Sequence, residues 1–337
     1  MRNILPKLYV IVPCFNEENV ISHTLEKLSQ KLYMMIESAQ IAPQSAIVLV
    51  DDGSSDNTWQ HIQHSISLLP PPSYLKSKKW SIAFITLKLS RNFGHQNALL
   101  AGLEYAAHKC DCAISIDCDL QQDENMFDEF IRKYQAGSDI VLGIRNDRHT
   151  DSLFKKQSAN VFYDFMALMG TKVVKNHADY RLLSAKALQL LGAYKESNLF
   201  LRGVIMDMGL KIDRVYFDVK PRSMGESKYT LAKMCAFALN GITSFSVAPL
   251  RLVSVIGFVF FIAALLFLCY VLYVKFWTHD AIFGWASTAI LLCFFSGIQL
   301  LSLGIIGEYI GKIYTESKRR PRYIIEDIKV YEGDSME

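Results

Sequence analysis

Residues 113–119 read AISIDCD, in which four residues suited to a buried strand run straight into two carboxylates one residue apart. Two other short apolar runs end in the same way. Residues 13–18 (PCFNEE) follow one of them, and residues 51–56 (DDGSSD) follow the other. Strands that are apolar on both faces, with helical sequence between them, are typical of a mostly parallel sheet covered on both sides. The three polar strand ends should therefore meet at one edge, where such sheets bind ligands.

The alternation of strand and helix patterns extends over residues 1–230, which we predict to form one α/β domain with a Rossmann-like sheet. Apolar, β-branched runs predict strands at residues 9–12, 47–50, 82–89, 113–116 and 140–142. Helical periodicity predicts helices at residues 20–38 and 95–108.

Two long uncharged runs follow this domain, at residues 252–274 and 285–306. At a rise of about 1.5 Å per residue, each helix would be long enough to cross a hydrocarbon core of about 30 Å. We therefore predict a two-helix transmembrane hairpin at residues 251–308. Residues 231–250 would form a juxtamembrane amphipathic helix region, and residues 309–337 a basic cytoplasmic tail.

Basic residues flank the hairpin on both outer sides and predict its orientation. They are Lys228, Lys233 and Arg251 before it, and Lys312, Lys318, Arg319, Arg320 and Arg322 after it. Positive charge favours the cytoplasmic side, so both termini and the α/β domain should lie in the cytoplasm, on the inner membrane. The early apolar stretch at residues 8–15 is too short for a secretory signal and contains Pro13.

Composition excludes several classes of function. The chain has 337 residues, of which 51% are hydrophobic, so it is not a disordered protein. Its 36 basic and 33 acidic residues give a net charge of +3, which does not favour nucleic acid as a partner. Neither a dinucleotide fingerprint nor a P-loop is present, so a phosphate ligand needs another counter-charge. Asp117 and Asp119 on a tight turn suit a hard divalent cation that would also bind a diphosphate.

Several motifs in order resemble the family 2 glycosyltransferases with a GT-A fold, and more narrowly the polyprenyl-phosphate glycosyltransferases. The motifs lie at residues 11–18, 50–58, 91–95 and 117–121. Residues 178–184, residues 222–229 and the C-terminal hairpin are most similar to the bactoprenol glucosyltransferase branch, and the dolichol-phosphate mannose synthases are more distant relatives. The chain departs from the family at Gln121-Gln122-Asp123, where Gln-Asp-Pro-Pro is common.

The resemblance implies an inverting, metal-dependent transfer of glucose from UDP-glucose to polyprenyl (undecaprenyl) phosphate. Mg²⁺ or Mn²⁺ would be the cofactor. The lipid-linked sugar would serve modification of a cell-surface glycan such as the lipopolysaccharide O-antigen. We also expect a homo-oligomer, with a tetramer among the options.

The resemblance also implies roles for individual residues. The nucleotide-sugar pocket would be lined by Pro13, Asn16, Glu18, Asp51, Asp52 and Asp117. The metal ligands would be Asp117, Asp119 and Gln121. Because donor and acceptor are both anionic, the site needs cations, and the acceptor phosphate would be held by Arg145, Lys155, Arg181, Arg222, Ser227 and Lys228. The catalytic residues would be Asp119, Asp179, Arg222 and Lys228, with Asp179 orienting Arg181, contacting the sugar or acting as a base.

Other functions fit parts of the sequence. The sugar could instead be mannose from GDP-mannose, or an amino sugar, because few pocket residues separate such specificities. A processive polysaccharide synthase should carry a Gln-x-x-Arg-Trp sequence, and none of the four tryptophans has that context. A non-catalytic membrane partner should have a degraded Asp-x-Asp, whereas Asp117 and Asp119 are intact.

Overall fold

A computed structural model describes residues 5–68, 82–146, 177–196, 201–219, 248–273 and 284–331. The chain forms two compact units. The first contains residues 1–163, 172–228 and 321–337, and the second contains residues 164–171 and 229–320.

The first unit is built on an eight-stranded sheet within the described residues. The strands are β1 (Leu8–Cys14), β2 (Ala46–Asp51), β3 (Ala83–Leu89), β4 (Cys112–Ser115), β5 (Ile140–Arg145), β6 (His177–Ser184), β7 (Ile212–Phe217) and β8 (Ile325–Tyr331). Their order across the sheet is β7-β5-β6-β4-β1-β2-β3-β8. Strands β4, β1, β2 and β3 are mutually parallel, β5 pairs with β7 in parallel, and β6 and β8 are antiparallel to their neighbours.

Helices connect and cover these strands. They are α1 (Ile21–Glu37), α2 (Thr58–Leu68), α3 (His95–Ala106), α4 (Phe127–Gln135), α5 (Ala185–Leu191) and α6 (Leu201–Asp207), with a 3₁₀ turn at Glu124–Met126. The five predicted strands and two predicted helices are all present, with boundaries within three residues of the prediction. The mostly parallel, Rossmann-like sheet of a GT-A fold is thereby confirmed.

Strand β6 places its first residues where β4 ends, because it runs antiparallel between β4 and β5. Ser115, the last residue of β4, lies opposite Arg181, and Ile144 near the end of β5 lies opposite His177. The start of β6 therefore shares an edge of the sheet with the carboxyl ends of β4 and β5.

Residues 309–337, for which we predicted a basic tail, contain strand β8. After the second long helix, the chain returns to the first unit and pairs with β3 at the edge of the sheet, with Val330 opposite Ile85. Arg322 reinforces this return by donating to the carboxylate of Glu104 at 2.6 Å and to the carbonyl of Tyr194 at 2.8 Å. The same carboxylate also accepts a hydrogen bond from the hydroxyl of Tyr323.

The second unit, as far as the structure describes it, contains two helices, α7 (Ala248–Tyr273) and α8 (Trp285–Ser317). The ring of Phe260 on α7 packs edge-on against Phe294 and Phe295 of α8, with centroids 5.7 and 5.6 Å apart. Many large apolar side chains of the two helices are exposed, and Leu300 is 70% exposed. Within the described residues, one stretch, Phe294–Ser317, is long and apolar enough to cross a membrane, and Val253–Phe267 is a shorter apolar stretch. Residues 231–247 of the predicted juxtamembrane region lie outside the description.

Gly53 is required by the close packing of two loops. Its φ of +63° is left-handed, and a Cβ placed there would lie 2.4 Å from the backbone carbonyl carbon of Arg91. Gly94 also has a left-handed φ, +91°, but a Cβ there would meet no atom within 4 Å. The two glycines therefore share the conformational requirement, and Gly53 adds a steric one.

We predict that Gly53→Ala lowers the free energy of unfolding by more than Gly94→Ala does. Both variants should lose about 1–3 kcal/mol because φ is positive at both positions. Gly53→Ala should lose about 1–3 kcal/mol more because the Arg91 backbone must move. Urea titrations of the purified full-length chain measure both values, and equal losses would contradict the steric role.

Candidate active site

Three acidic strand ends lie side by side on β4, β1 and β2. Cys14 at the end of β1 is opposite Asp51 on β2, and its carbonyl accepts the N–H of Asp52 at 2.9 Å. On the other side of β1, the N–H of Ile116 donates to the carbonyl of Ile11 at 3.0 Å. Asp117 follows directly, so the structure brings the acidic residues after β2 and β4 to either side of the end of β1.

Asn16 and Glu18 fasten the loop after β1 to the loop after β2. The side-chain oxygen of Asn16 accepts the backbone N–H of Ser55 at 2.9 Å. The backbone N–H of Asn16 donates to the hydroxyl of Ser54 at 3.0 Å. The Glu18 carboxylate accepts the N–H of Asn57 at 3.1 Å. These contacts give both residues a structural role in shaping the loops. Contact with a nucleotide, which we predicted for them and for the neighbouring buried Pro13, stays a prediction.

Asp52 positions the start of α3, whereas Asp51 has one carboxylate oxygen without a hydrogen-bond partner among the described residues. The two Asp52 carboxylate oxygens accept the N–H groups of Phe93 at 2.7 Å and Gly94 at 2.9 Å. Asp51 accepts from Ser54 through Oδ1, while its buried Oδ2 has no hydrogen-bond partner among the described residues. Burial raises the pKa of both carboxyls. Of the two, Asp51 is the better placed to accept a further hydrogen bond.

The acidic turn after β4 is held by its own side chains. Gln122 contacts Asp117 twice, and the Asp119 carboxylate accepts the N–H of Gln121 at 3.1 Å. Burial raises the pKa of Asp117, and the negative charges of Asp179 and Asp119 add to that rise. Carboxylate and amide oxygens crowded in this way suit a hard divalent cation.

Within the described ranges, no group of three or more His, Cys, Asp and Glu side chains is placed to hold a metal ion. The roles of Asp117, Asp119 and Gln121 as ligands stay predictions, and a cation held there would need further ligands. Diphosphate and water oxygens would serve, because a cation such as Mg²⁺ usually keeps several positions for water and substrate phosphates.

His95 is a site residue whose role sequence reasoning missed. It is the first residue of α3, and its Nε2 lies 3.5 Å from Oδ1 of Asp117. It also interacts electrostatically with Asp52 and Asp179, where its charge favours the ionised carboxylates. The RNFGH motif indicated that this segment mattered, but only the fold places its last residue among three carboxylates.

Asp179 is held between two arginines. Arg202 on α6 donates to it with two nitrogens, at 2.8 and 3.2 Å, and Arg181 donates to one of the same carboxylate oxygens. Burial alone would raise the pKa of Asp179, but the charges of Arg202 and Arg181 outweigh it and hold the pKa well below its usual range. A carboxylate this strongly stabilised is a poor base. The geometry therefore favours the orienting role among the three that the sequence left open for Asp179.

Arg181, Arg145 and His177 each have buried nitrogens without a hydrogen-bond partner among the described residues. The guanidinium of Arg181 is fully buried, and its Nε and Nη1 lack a hydrogen-bond partner in the described part of the chain, as does Nε of Arg145. Both arginines interact electrostatically with Asp117. Both ring nitrogens of buried His177 are likewise unpartnered among described residues, and burial, with the charges of Arg181 and Arg202, lowers its pKa well below the usual value. The edge of the sheet thus presents buried hydrogen-bond donors that an anion could satisfy.

The structure brings together most of the predicted site, but not all of it can be placed. Lys155, Arg222, Ser227 and Lys228 lie outside the described residues, so their roles stay predictions. Arg202, which pairs with Asp179, was absent from the predicted set because nothing in its local sequence links it to a motif 23 residues earlier.

Comparison with known protein families gives two matches. Residues 9–192 match the family described as "Glycosyl transferase family 2", and residues 248–313 match the one described as "GtrB C-terminal hairpin".

Similar proteins align along almost the entire chain. A relative in Bacillus subtilis (strain 168), the uncharacterized glycosyltransferase YkoT, is 45% identical over 98% of this chain and 94% of its own length. The bactoprenol glucosyl transferase of Shigella phage SfV is 35% identical, with 96% and 99% covered. The prophage bactoprenol glucosyl transferase homolog of Escherichia coli (strain K12) is 34% identical, again with 96% and 99% covered.

Likenesses to solved structures are weaker. A mannosyltransferase from Pyrobaculum calidifontis, solved with GDP-Man and Mn²⁺, is 16% identical with a TM-score of 0.47, covering 72% of this chain and 64% of that one. Glucosyl-3-phosphoglycerate synthase from Mycobacterium tuberculosis is 15% identical with a TM-score of 0.43, covering 71% and 78%. Likenesses at this level add nothing about function.

We predict that Asp179→Asn destabilises the protein by about 3–5 kcal/mol, because it leaves two arginines of a buried ion pair without their carboxylate. The lowered pKa of Asp179 means that its stabilisation is fully present above the pKa of an unfolded aspartate, about 3.9, and is lost as the pH falls from there towards the folded value. Thermal unfolding should therefore show the same deficit at pH 5.5 and pH 8.

The matched control is Asp213→Asn, which removes an exposed ion pair with Lys133 at 2.9 Å. It should cost no more than about 1 kcal/mol. A deficit in Asp179→Asn no larger than this control, or one that grows as the pH rises, would contradict the assignment.

Proposed function

The chain belongs to glycosyl transferase family 2, and from that premise we propose that it transfers glucose from UDP-glucose to the phosphate of a polyprenyl phosphate, such as undecaprenyl phosphate. The observation that carries the proposal is the meeting of an acidic turn, Asp117 and Asp119, with the cationic groups of Arg145, Arg181 and Arg202 at one edge of the sheet. The near full-length similarity to bactoprenol glucosyl transferases supports the choice of sugar and lipid.

The chemistry of the acceptor explains why the site is rich in cations. A phosphate oxygen of the lipid attacks the anomeric carbon, a new carbon–oxygen bond forms with inversion, and the bond to the diphosphate breaks with its electron pair leaving on UDP. Because a phosphate oxygen is already anionic near neutral pH, no base has to remove a proton from it. The main electrostatic obstacle is repulsion between two anions, which preset positive groups reduce.

Each described residue then has a task that does not require proton transfer. Asp179 fixes the directions of Arg181 and Arg202. The unpartnered Nε and Nη1 of Arg181 are then the donors for phosphate oxygens. Arg145 contributes a further buried donor. Asp117, Asp119 and Gln121 would hold Mg²⁺ or Mn²⁺, which would neutralise charge on the leaving diphosphate as a Lewis acid. Asp51 keeps a buried acceptor oxygen for an N–H group of the nucleotide base.

We also propose that both α7 and α8 cross the membrane, as the sequence predicted. Strand β8 is hydrogen-bonded to β3, so the chain before α7 and the chain after α8 lie on the same side of any membrane. The number of crossings between them must therefore be even. If α8, which contains the long apolar stretch, crosses the bilayer, a second crossing is required. The apolar, 26-residue α7 is the candidate for it.

Basic residues at the outer ends of the hairpin support placing the catalytic unit on the cytoplasmic face of the inner membrane. Membrane attachment suits the reaction, because it keeps an enzyme that uses a water-soluble donor beside a lipid acceptor. The domain limits predicted from the sequence are retained in this proposal, except that residues 325–331 belong to the catalytic sheet. We also propose that the protein forms a homo-oligomer.

Incubation of the purified full-length protein with undecaprenyl phosphate, Mn²⁺ and radiolabelled sugar nucleotides tests the reaction. We expect organic-soluble label from UDP-glucose, and none from GDP-mannose or UDP-amino sugars. Label from another donor alone would keep the lipid acceptor and change the sugar. Label in a polymer, or no label from any donor, would contradict the proposal.

We predict that Asp119→Ala reduces transfer roughly 100-fold or more, because loss of a metal-assisted charge stabilisation of several kcal/mol corresponds to at least that factor. The control is Glu37→Ala, which removes an exposed carboxylate at the end of α1 and should leave the rate unchanged. Initial rates at saturating donor measure both variants. Near-normal turnover in Asp119→Ala would exclude the proposed metal role.

A further inference from the structure

Gln122 grips Asp117 with both ends of its side-chain amide. Its Oε1 accepts the backbone N–H of Asp117 at 2.9 Å, and its Nε2 donates to Oδ2 of the Asp117 carboxylate at 2.6 Å. The Gln122 side chain is almost fully buried, with 1% of the residue exposed. A buried, two-point contact of this kind fixes both the backbone and the carboxylate of the residue it holds.

An amide makes both contacts without a change of protonation state, whereas a carboxyl group could donate to Oδ2 only when protonated. A carboxylate at this position would accept from the N–H but, when ionised, could not donate to Oδ2, and it would place a second negative charge beside the first. An apolar side chain of equal length would make neither contact. Gln122 therefore holds Asp117 without consuming its charge, which leaves the carboxylate available to a cation.

Other contacts already fix the backbone between the two acidic residues and after them. The hydroxyl of Thr24 donates to the carbonyl of Cys118 at 2.6 Å, and the hydroxyl of Tyr180 donates to the carbonyl of Asp123 at 2.7 Å. Between these points Leu120 has a left-handed φ of +49°. With the turn anchored in this way, the orientation of the Asp117 carboxylate is still to be fixed. Gln122 holds its Oδ2 by a hydrogen bond at 2.6 Å, while His95 lies 3.5 Å from its Oδ1.

We propose that Gln122 is a positioning residue for the nucleoside diphosphate and its divalent cation, which it serves by holding Asp117 in its binding orientation before the ligand arrives. The inference rests on the proposed function, since the ligand is the one that function requires. Preset ligands avoid the cost of ordering them on binding, and partners that orient a metal ligand commonly change metal affinity 10–100-fold when removed, as order-of-magnitude values.

The competing explanation is that Gln122 only satisfies a buried N–H group and stabilises the fold. That role would be lost together with stability and would not depend on the cation. The two explanations therefore differ in one measurable quantity, the extent to which Mn²⁺ strengthens UDP binding.

The test uses Gln122→Met, which keeps the length and removes both hydrogen bonds, and Gln122→Glu, which keeps the acceptor for the Asp117 N–H and removes the donor. Gln30 provides matched controls, because its Nε2 donates to Glu26 at 3.3 Å on the exposed face of α1. Gln30→Met and Gln30→Glu make the same changes beside a carboxylate outside the site. Calorimetric titration of each purified full-length protein with UDP, with and without Mn²⁺, gives the affinities, and thermal unfolding gives the stability.

We expect Mn²⁺ to strengthen UDP binding to the parent protein and to the Gln30 variants. In both Gln122 variants the affinity in Mn²⁺ should fall about tenfold, while the weaker binding without Mn²⁺ should change less than threefold. Unaltered Mn²⁺-dependent affinity in Gln122→Met, or loss of folding in both Gln122 variants, would assign Gln122 to stability alone and overturn the inference. If Mn²⁺ does not strengthen UDP binding to the parent protein itself, the proposed metal role fails independently of Gln122.

Discussion

The parallel pairing of β1 with β2 on one side and β4 on the other is the constraint on which the site depends. Parallel strands end at the same edge of the sheet, so the residues that follow β1, β2 and β4 lie close together there. Strand β6 extends the arrangement by running the other way, which brings the beginning of that strand to the edge where β4 ends. Asp117 and Asp179, 62 positions apart in the sequence, become neighbours for this reason.

The cost of this arrangement is electrostatic. Asp179, Arg181 and Asp117 are charged groups placed in a poorly solvated region, and buried ion pairs of this kind add little to stability compared with apolar packing. These groups are preorganised for binding, because charges and dipoles fixed by folding need not reorganise when an anionic ligand approaches. The same reasoning explains why Asp52 is used to hold N–H groups of α3 and Asn16 to fasten a loop. A charged edge stays ordered only if its supporting loops are tied down.

The sequence predicted the strands and helices whose apolar patterns are local, including β1, β2 and α1, and it identified the acidic turn after β4. It did not predict β8, because the alternation in IEDIKVY is short and its partner β3 lies more than 230 residues earlier. Strand β6 was recognised as a motif but not as a strand, since buried Asp and Arg disrupt the apolar pattern that marks buried strands. The tasks of His95 and Arg202 depend on contacts across elements. Such contacts are set by topology, and no local pattern in the chain contains that information.

The return of the chain to β3 also affects how the protein is made. Residues 325–331 are synthesised after both long apolar helices, so the sheet stays one strand short, with β3 as an open edge, until the end of translation. A chain whose helices were threaded through the membrane an odd number of times would leave β8 on the wrong side and could not complete the sheet. If both helices cross the membrane as proposed, pairing of β8 with β3 therefore requires that they be inserted together.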